Sequence, residues 1–117
     1  MQMLILVLNK VEFLEGILKD FVEIGIKGAT IIDSMGMAKA LGEEELNNIP
    51  IFGSIKMLID ESYPYNKTIF AVLKDEQVPT AIKTIKKNIG DLSKPGVGIV
   101  FTIPVTNVEG MAESNEY

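Results

Sequence analysis

The order of hydrophobic and polar residues along the chain predicts four strands and two helices. Apolar runs typical of buried strands occur at Met3–Leu8, Ala29–Asp33, Lys67–Leu73 and Gly98–Ile103. Apolar residues at helical spacing occur between them, over Val11–Ile24 and Val78–Ile89. This βαββαβ order predicts an α+β, ferredoxin-like sandwich, in which a four-stranded antiparallel sheet carries both helices on one face.

The residues that flank the predicted helices are typical of helix ends. Asn9 is placed to cap the start of the first helix, because a side-chain amide oxygen can accept from a free backbone N–H there. Gly25 and Gly90 follow the two helices, where glycine commonly ends a helix. Both helices are therefore expected to stop at a glycine.

The predicted strands are apolar on both of their sides. The first strand has Leu4, Leu6 and Leu8 on one side but also Ile5 and Val7 on the other. The third and fourth strands repeat this pattern. Two helices cover only one face of a sheet, and a large apolar face left open normally marks an interface. The pattern therefore predicts an obligate homo-oligomer that is assembled through its sheets.

The connection between the second and third strands, residues 34–66, is longer than an ordinary loop and is expected to be functional. Within it, the apolar residues from Ile51 to Ile59 follow helical spacing, with Asn48 and Pro50 placed at a helix start. We expect residues 1–110 to form one domain that contains this insertion. Residues 111–117 would then form an acidic C-terminal tail.

Composition narrows the chemistry that the chain can perform. The 16 acidic and 11 basic residues give a net charge of −5, and every basic residue is a lysine. The absence of Cys, His and Arg excludes thiolate nucleophiles, imidazole bases and guanidinium clamps. The first ten residues lack the basic start that is typical of a secretory leader, and no apolar run reaches membrane-spanning length. We therefore expect a cytoplasmic protein without membrane insertion.

Two glycine-rich turns are the first candidates for a binding site. They read Gly25-Ile-Lys-Gly-Ala-Thr30 and Lys94-Pro-Gly-Val-Gly98. Each is explained by a plain turn, and each also allows backbone amides to approach an anion. We expect the fold to start the two following strands at the same end of the sheet, which would bring the turns together.

Charged side chains add weaker candidates. Lys39 and Lys67 are cations that could face a phosphate or carboxylate, although each is also an ordinary solvated lysine. The run Glu43–Glu45 offers oxygen ligands for a hard cation, but no second ligand set stands at a suitable spacing. A solvated charge run explains it better, so no metal site is predicted.

The glycine turns and their neighbours resemble the PII signal-transduction family. Gly25-Ile-Lys-Gly-Ala-Thr30, followed by Ile-Ile-Asp-Ser-Met-Gly36, is similar to the turn that leads into that family's long T-loop. Lys94-Pro-Gly-Val-Gly-Ile-Val-Phe101 resembles its B-loop and last core strand, and Thr102-Ile-Pro-Val-Thr-Asn-Val108 the segment after it. The resemblance covers roughly residues 1–110.

The resemblance implies a homotrimer whose sheets face inward and whose ligands lie in clefts between subunits. In that family the clefts bind ATP or ADP, and the T-loop engages transporters or enzymes of nitrogen or carbon metabolism. The ligand-binding positions that it implies here are Gly28, Ala29, Thr30, Gly36, Lys39, Gly96 and Gly98. The partner would be a transporter or metabolic enzyme, reached through residues 36–66.

The chain also departs from the family pattern. Ile99 stands where the family has a lysine after the B-loop glycines, and Glu109-Gly-Met-Ala-Glu113 replaces its C-terminal arginines. The modifiable T-loop tyrosine is not recognisable. Because a triphosphate deprived of cations loses several kcal/mol of attraction, we expect a less charged adenine nucleotide, such as ADP or AMP, or another small anion.

Three alternatives belong to other classes. An enzyme on this fold would need an acid/base pair, and none stands out, so we expect no catalytic activity. A structural or protein-binding trimer without nucleotide binding remains open. An RNA-binding module of the same element order is excluded by the acidic charge and by an expected lack of exposed aromatic residues on the sheet.

Overall fold

A computed structural model describes residues 1–37, 39–41 and 65–111. The main elements, in chain order, are β1 (Gln2–Leu8), α1 (Leu14–Glu23), β2 (Thr30–Ser34), β3 (Asn66–Leu73), α2 (Val78–Ile89) and β4 (Gly98–Pro104). A 3-10 turn precedes each helix, at Val11–Phe13 and Asp75–Gln77. The predicted order of elements is confirmed, and the predicted ends differ from the observed ones by three residues at most.

The four strands form one antiparallel sheet in the order β2-β3-β1-β4. In the central pair, Leu4 lies opposite Ala71 and Leu6 opposite Ile69. β1 also pairs with β4, so β2 and β4 are the two edges of the sheet. This is the ferredoxin-like α+β arrangement that the pattern predicts, with both helices packed on one face.

Glycines end both helices, as predicted. After α1, Gly25 adopts a φ of 91° and donates to the carbonyl of Val22, while Ile26 donates to that of Phe21 at 2.8 Å. Those two bonds make a Schellman motif, which satisfies carbonyls that the helix leaves open. After α2, Gly90 has a φ of 80° and donates to the carbonyl of Lys86.

The predicted cap by Asn9 is wrong. The chain enters the first helix through its 3-10 turn, and no side chain caps either segment. The side chain of Asn9 is instead hydrogen-bonded across the sheet to Asn66. Since an acceptor already engaged across the sheet does not reach the helix amides, tertiary contact overrides the local capping preference here.

The core lies between the helices and one face of the sheet. Its sheet layer is wholly buried and comprises Leu4, Leu6, Leu8, Ile69, Ala71 and Leu73. Ile17 and Phe21 from α1, with Ala81 and Ile85 from α2, close it from above. Burial of this apolar surface is the main source of the domain's stability.

The opposite face of the sheet, here called the open face, is apolar and uncovered within one chain. Strand pairing places Ile5 between Phe70 and Phe101 on this face, and Val7 beside Ile99. Ile99 is 57% exposed, Ile32 48% and Phe101 44%. The predicted second apolar face is confirmed. The expectation that the sheet lacks exposed aromatic residues is wrong, because strand alternation turns Phe101 outward.

Several predictions fall outside the described residues. The helix expected around Ile51–Ile59 and the acidic run Glu43–Glu45 both belong to residues 42–64, and all but the first residue of the tail expected at 111–117 lies beyond the described part. The division into a domain and a tail stays a prediction. Among the described residues, no helix has the length and apolar character needed to cross a bilayer.

Candidate functional site

Four polar side chains interrupt the open face at one end of the sheet. This loop-base cluster comprises Asn9, Ser34, Asn66 and Thr68. Ser34 is the last residue of β2 and Asn66 the first of β3, so together they mark the two ends of the long insertion. The cluster therefore lies where residues 36–66 join the sheet.

Hydrogen bonds run through the cluster in one direction. The hydroxyl of Ser34 donates to Oδ1 of Asn66, and Nδ2 of Asn66 donates to Oδ1 of Asn9 at 3.1 Å. The hydroxyls of Ser34 and Thr68 are 2.7 Å apart. Since the Ser34 proton is engaged with Asn66, Thr68 is the donor in that pair. All four side chains are uncharged, so the cluster offers amide and hydroxyl groups rather than cations.

On the other face of the same strands, Asp33 accepts a hydrogen bond from Nζ of Lys67. The two residues are directly opposite each other in the β2–β3 ladder. Lys67, a candidate cation from the sequence, is therefore neutralised by a cross-strand partner. It lies on the face opposite to the loop-base cluster.

Gly36 and Lys39 follow β2 at the start of the insertion. Gly36 is exposed, and its carbonyl accepts from the amide of Ala40 at 3.0 Å, which begins a helical turn. A side chain at Gly36 would lie 3.8 Å from Nδ2 of Asn66, so this glycine adjoins the loop-base cluster. Lys39 lies on the helical turn and is exposed.

The turn at residues 94–98 meets the same end of the sheet. The carbonyl of Val97 accepts from the backbone amide of Asn9 at 3.2 Å. Gly96 has a φ of 77° and Gly98 a φ of 155°, which favour glycine. A β-carbon on Gly98 would also lie 2.6 Å from the carbonyl oxygen of Val7. Sheet packing thus explains Gly98 without any ligand.

The approach to this turn is set by Asp91. Its carboxylate accepts from both the hydroxyl and the backbone amide of Ser93, at 2.7 and 2.9 Å. These two bonds, the hydroxyl bond first, hold the pKa of Asp91 below its ordinary value. The deprotonated carboxylate of Asp91 therefore holds Ser93, the residue before Lys94, in place.

The first glycine turn lies elsewhere. Gly28 is buried, Ala29 packs against the core, and Thr30 starts β2 opposite Phe70. The prediction that the two turns lie at the same end is wrong. In the order β2-β3-β1-β4, the edge strands run in opposite directions, so β2 starts at one end of the sheet and β4 at the other.

Within one chain, the predicted site residues therefore form two groups. Gly36 adjoins the loop-base cluster, which connects through Asn9 to the turn that holds Gly96 and Gly98. The group Gly28–Thr30 is separated from Gly98 by three strand spacings, roughly 14 Å, and by three residues along the sheet, roughly 10 Å. Over residues 1–37, 39–41 and 65–111, no three acidic side chains converge as metal ligands would.

Sequence reasoning missed the loop-base cluster. Asn9 was assigned a capping role, and the three residues Ser34, Asn66 and Thr68 drew no prediction of a shared site. The available signal was that polar residues replace apolar ones at alternating positions where two strands meet the insertion, with Ser34 at the end of β2 and Asn66 and Thr68 at the start of β3. Their convergence depends on strand order, which the pattern does not supply.

A family model described as "Nitrogen regulatory protein P-II" matches residues 1–114 of the chain. The match covers all six elements, both glycine turns and the whole insertion. No curated protein matches the chain.

Proposed function

Since the chain belongs to the family of nitrogen regulatory protein P-II, whose proteins are regulatory rather than catalytic, we propose that it is a regulatory homotrimer. In this proposal it binds a small effector in clefts between subunits and signals through residues 36–66. The observation that carries the proposal is the separation of the two glycine turns on opposite edges of a sheet with an uncovered apolar face.

The open face supports self-assembly. Apolar surface costs about 25 cal/mol per Å² when it stays in water, and the open face presents isoleucines and Phe101 at 42–57% exposure. Packing the open faces of several copies against one another removes that cost without a second protein. The sheet that one chain leaves half-covered would then be buried on both sides.

Because proteins of this family are typically trimers, we infer a cyclic trimer rather than a two-fold dimer. A cleft that uses Gly28–Thr30 of one copy and Gly96–Gly98 of the next joins two different edges of the sheet. In a ring this contact is heterologous, and heterologous contacts that close form rings such as a trimer. In one chain alone the two turns are too far apart to share a small ligand.

The charges near these turns favour an effector with few phosphates. Lys67 is paired with Asp33, so the other lysines that adjoin the loop base or the second turn in sequence, within the described part, are Lys10, Lys39 and Lys94. An adenine nucleotide with fewer charges than ATP matches this small number of lysines better, because each phosphate charge without a cationic partner loses free energy of hydration when it is buried. Backbone amides at Gly96 and Gly98 would supply uncharged donors to an anion.

Signalling would run through residues 36–66 to a transporter or a metabolic enzyme, in a cytoplasmic setting. Both ends of that segment are fixed in the sheet by Ser34 and Asn66. A change of structure in the cleft would therefore reach the segment through these two fixed ends.

A structural or protein-binding trimer without nucleotide binding is the competing function. It is favoured by Gly25 and Gly98, whose helix-ending and strand-packing roles need no ligand. Both proposals share the trimer, so they differ only in whether the clefts bind an effector.

Isothermal titration of the purified oligomer with ATP, ADP and AMP separates these two functions. We expect saturable binding of at least one nucleotide, with Lys39→Gln weakening it by about tenfold, the equivalent of about 1.4 kcal/mol. Lys83→Gln, on the outer surface of α2, is the matched control and should leave affinity unchanged. Absence of heat with all three nucleotides, with and without magnesium, would favour the structural trimer.

A further inference from the structure

Three hydrogen bonds, joined through the covalent frames of Asn66 and Asn9, connect the start of the insertion to the second glycine turn. The path starts at the Ser34 hydroxyl and passes through the side chain of Asn66 to the side chain of Asn9. It then leaves by the backbone amide of Asn9, which donates to the carbonyl of Val97. Val97 is buried between Gly96 and Gly98.

We propose that Asn9 and Asn66 are positioning residues that couple the start of the insertion to the turn at residues 94–98. Asn66 is suited to this role because its amide both accepts and donates. Its oxygen is taken by Ser34 and its nitrogen by Asn9, which fixes one orientation of the amide. A shift of Ser34 therefore changes the position of Asn66, and through it that of Asn9.

The packing around Asn9 favours passing such a shift on to neighbouring residues rather than absorbing it locally. Asn9 immediately follows β1, where Leu8 is wholly buried and paired with both neighbouring strands. Gly98 is packed against the Val7 carbonyl so closely that even a β-carbon has no room. Because close-packed interiors have low compressibility and transmit strain, displacement of Asn9 is passed to Val97 and its flanking glycines.

The adjacent ion pair provides a natural comparison. Asp33 and Lys67 join the same two strands one residue away from Ser34 and Asn66, but on the face that carries the helices. Within the described part of the chain, their side-chain ion pair forms no hydrogen bond to Asn9 or Val97. The coupling is thus assigned to the amides of the open face and not to cross-strand contact in general.

As a route for effector signals, this coupling rests on the proposed function, since it would connect a ligand at Gly96 and Gly98 to residues 36–66. The physical coupling itself does not require a ligand. It can therefore be measured in the unliganded oligomer, and its failure is distinct from a failure to bind nucleotide.

The test is a double-mutant cycle read by ¹H–¹⁵N NMR at the amides of Gly96, Val97 and Gly98. Ser34→Ala removes the first donor of the path, and Asn9→Leu removes the acceptor of Asn66 at similar size. We expect Ser34→Ala to shift these three amide signals in the native background and to leave them unchanged in the Asn9→Leu background. Asp33→Ala, the matched control, should leave them unshifted.

A conservative variant separates positioning from simple support of the fold. Asn9→Asp keeps an oxygen for the Asn66 amide, so the response of the turn to Ser34→Ala should return in that background. Equal shifts with and without Asn9→Leu would overturn the proposal, as would no shift in the native background. If Asn9→Leu fails to fold, the comparison of Ser34→Ala with Asp33→Ala tests the proposal. Equal shifts of the turn amides in these two variants would contradict the assigned path.

Titration then connects the coupling to the effector. With a nucleotide that binds, Ser34→Ala should change its affinity by about threefold or more, and Asn9→Leu should remove that difference. If the NMR cycle shows coupling and no nucleotide binds, the coupling stands while its use by an effector is wrong. If nucleotide binds but Ser34→Ala leaves both the affinity and the turn signals unchanged, the coupling is wrong while the proposed function stands.

Discussion

Gly98 and Val7 approach so closely that a β-carbon on the glycine would lie 2.6 Å from the carbonyl oxygen of the valine. The contact joins the first residue of β4 to the end of β1, at the point where the second glycine turn enters the sheet. The nearest atom belongs to the backbone of a central strand and cannot rotate away. A glycine at this position is therefore required by the fold itself.

Gly98→Ala should destabilise the protein by about 1–3 kcal/mol, as expected for overpacking against backbone. Chemical denaturation monitored by circular dichroism measures this loss. Gly110→Ala is the matched control, because Gly110 also has a positive φ, 86°, but among the residues that the structure describes no atom lies within 4 Å of the added carbon. An equal loss for both variants would show that backbone strain, rather than the contact with Val7, makes glycine necessary.

The two helices approach each other through Gly16 and Asn88. A β-carbon on Gly16 would lie 2.6 Å from Oδ1 of Asn88, whose Nδ2 donates to Asp20 and to the Thr84 carbonyl. Alanine is a better helix former than glycine by about 1 kcal/mol. Gly16→Ala should therefore bring no gain in the native chain.

The same substitution should stabilise by about 1 kcal/mol once Asn88→Ala has removed the obstructing amide. Thermal or denaturant unfolding of the four members of this cycle provides the measurement. A gain from Gly16→Ala of the same size in both backgrounds would contradict the close approach of the two helices.

The open face predicts which surface substitutions break the assembly. Phe101→Asp places a carboxylate among apolar side chains, and burial of an unpaired charge costs several kcal/mol. We therefore expect loss of the oligomer at micromolar concentration, seen by light scattering. Val22→Asp is the control, since Val22 is 57% exposed on α1, on the helical side. Loss of assembly by Val22→Asp but not by Phe101→Asp would place the interface on the helices.

Acid should destabilise the folded chain through two exposed carboxylates. The N-terminal amine, then Gln2, holds the pKa of Asp75 below its ordinary 3.8, and Ser93 does the same for Asp91. A lowered folded-state pKa means that the stabilisation from these carboxylates is complete above about pH 5 and is lost as pH falls through the folded value.

Unfolding measured between about pH 5 and pH 2 should show less dependence on pH for Asp91→Asn than for the native chain. Glu76→Gln, an exposed carboxylate in the 3-10 turn before α2, serves as the comparison variant. If Asp91→Asn and the native chain lose stability in parallel, the Ser93 hydrogen bonds contribute nothing to the acid response.

The sequence predicted the element order and the second apolar face because both depend on local periodicity. Alternation along β1 and β4 decides which residues of a strand share a side, so both sides could be recognised as apolar. It does not decide which side the helices leave open, and the exposure of Phe101 was therefore not predicted. The helix-ending roles of Gly25 and Gly90 could be predicted from the sequence as well, since the end of a helix depends on a few neighbouring residues.

Features that depend on which strands are neighbours could not be predicted in the same way. The relative direction of β2 and β4 follows from the strand order, and assuming one common end for both glycine turns was therefore wrong. The side chain of Asn9 has a local candidate role as a cap and a distant partner in Asn66, 57 residues away. Only the fold shows that the Asn9 side chain bonds Asn66 rather than capping the helix. The loop-base cluster depends on that bond.

The central claim is a trimer that covers the open face, and the mass of the native protein in solution tests it most directly. Size-exclusion chromatography with light scattering, over a dilution series down to micromolar concentration, should give three times the 12.8 kDa of one chain at every point. A mass of one chain would leave the open face in water and contradict the account. A mass of two chains would contradict the trimer.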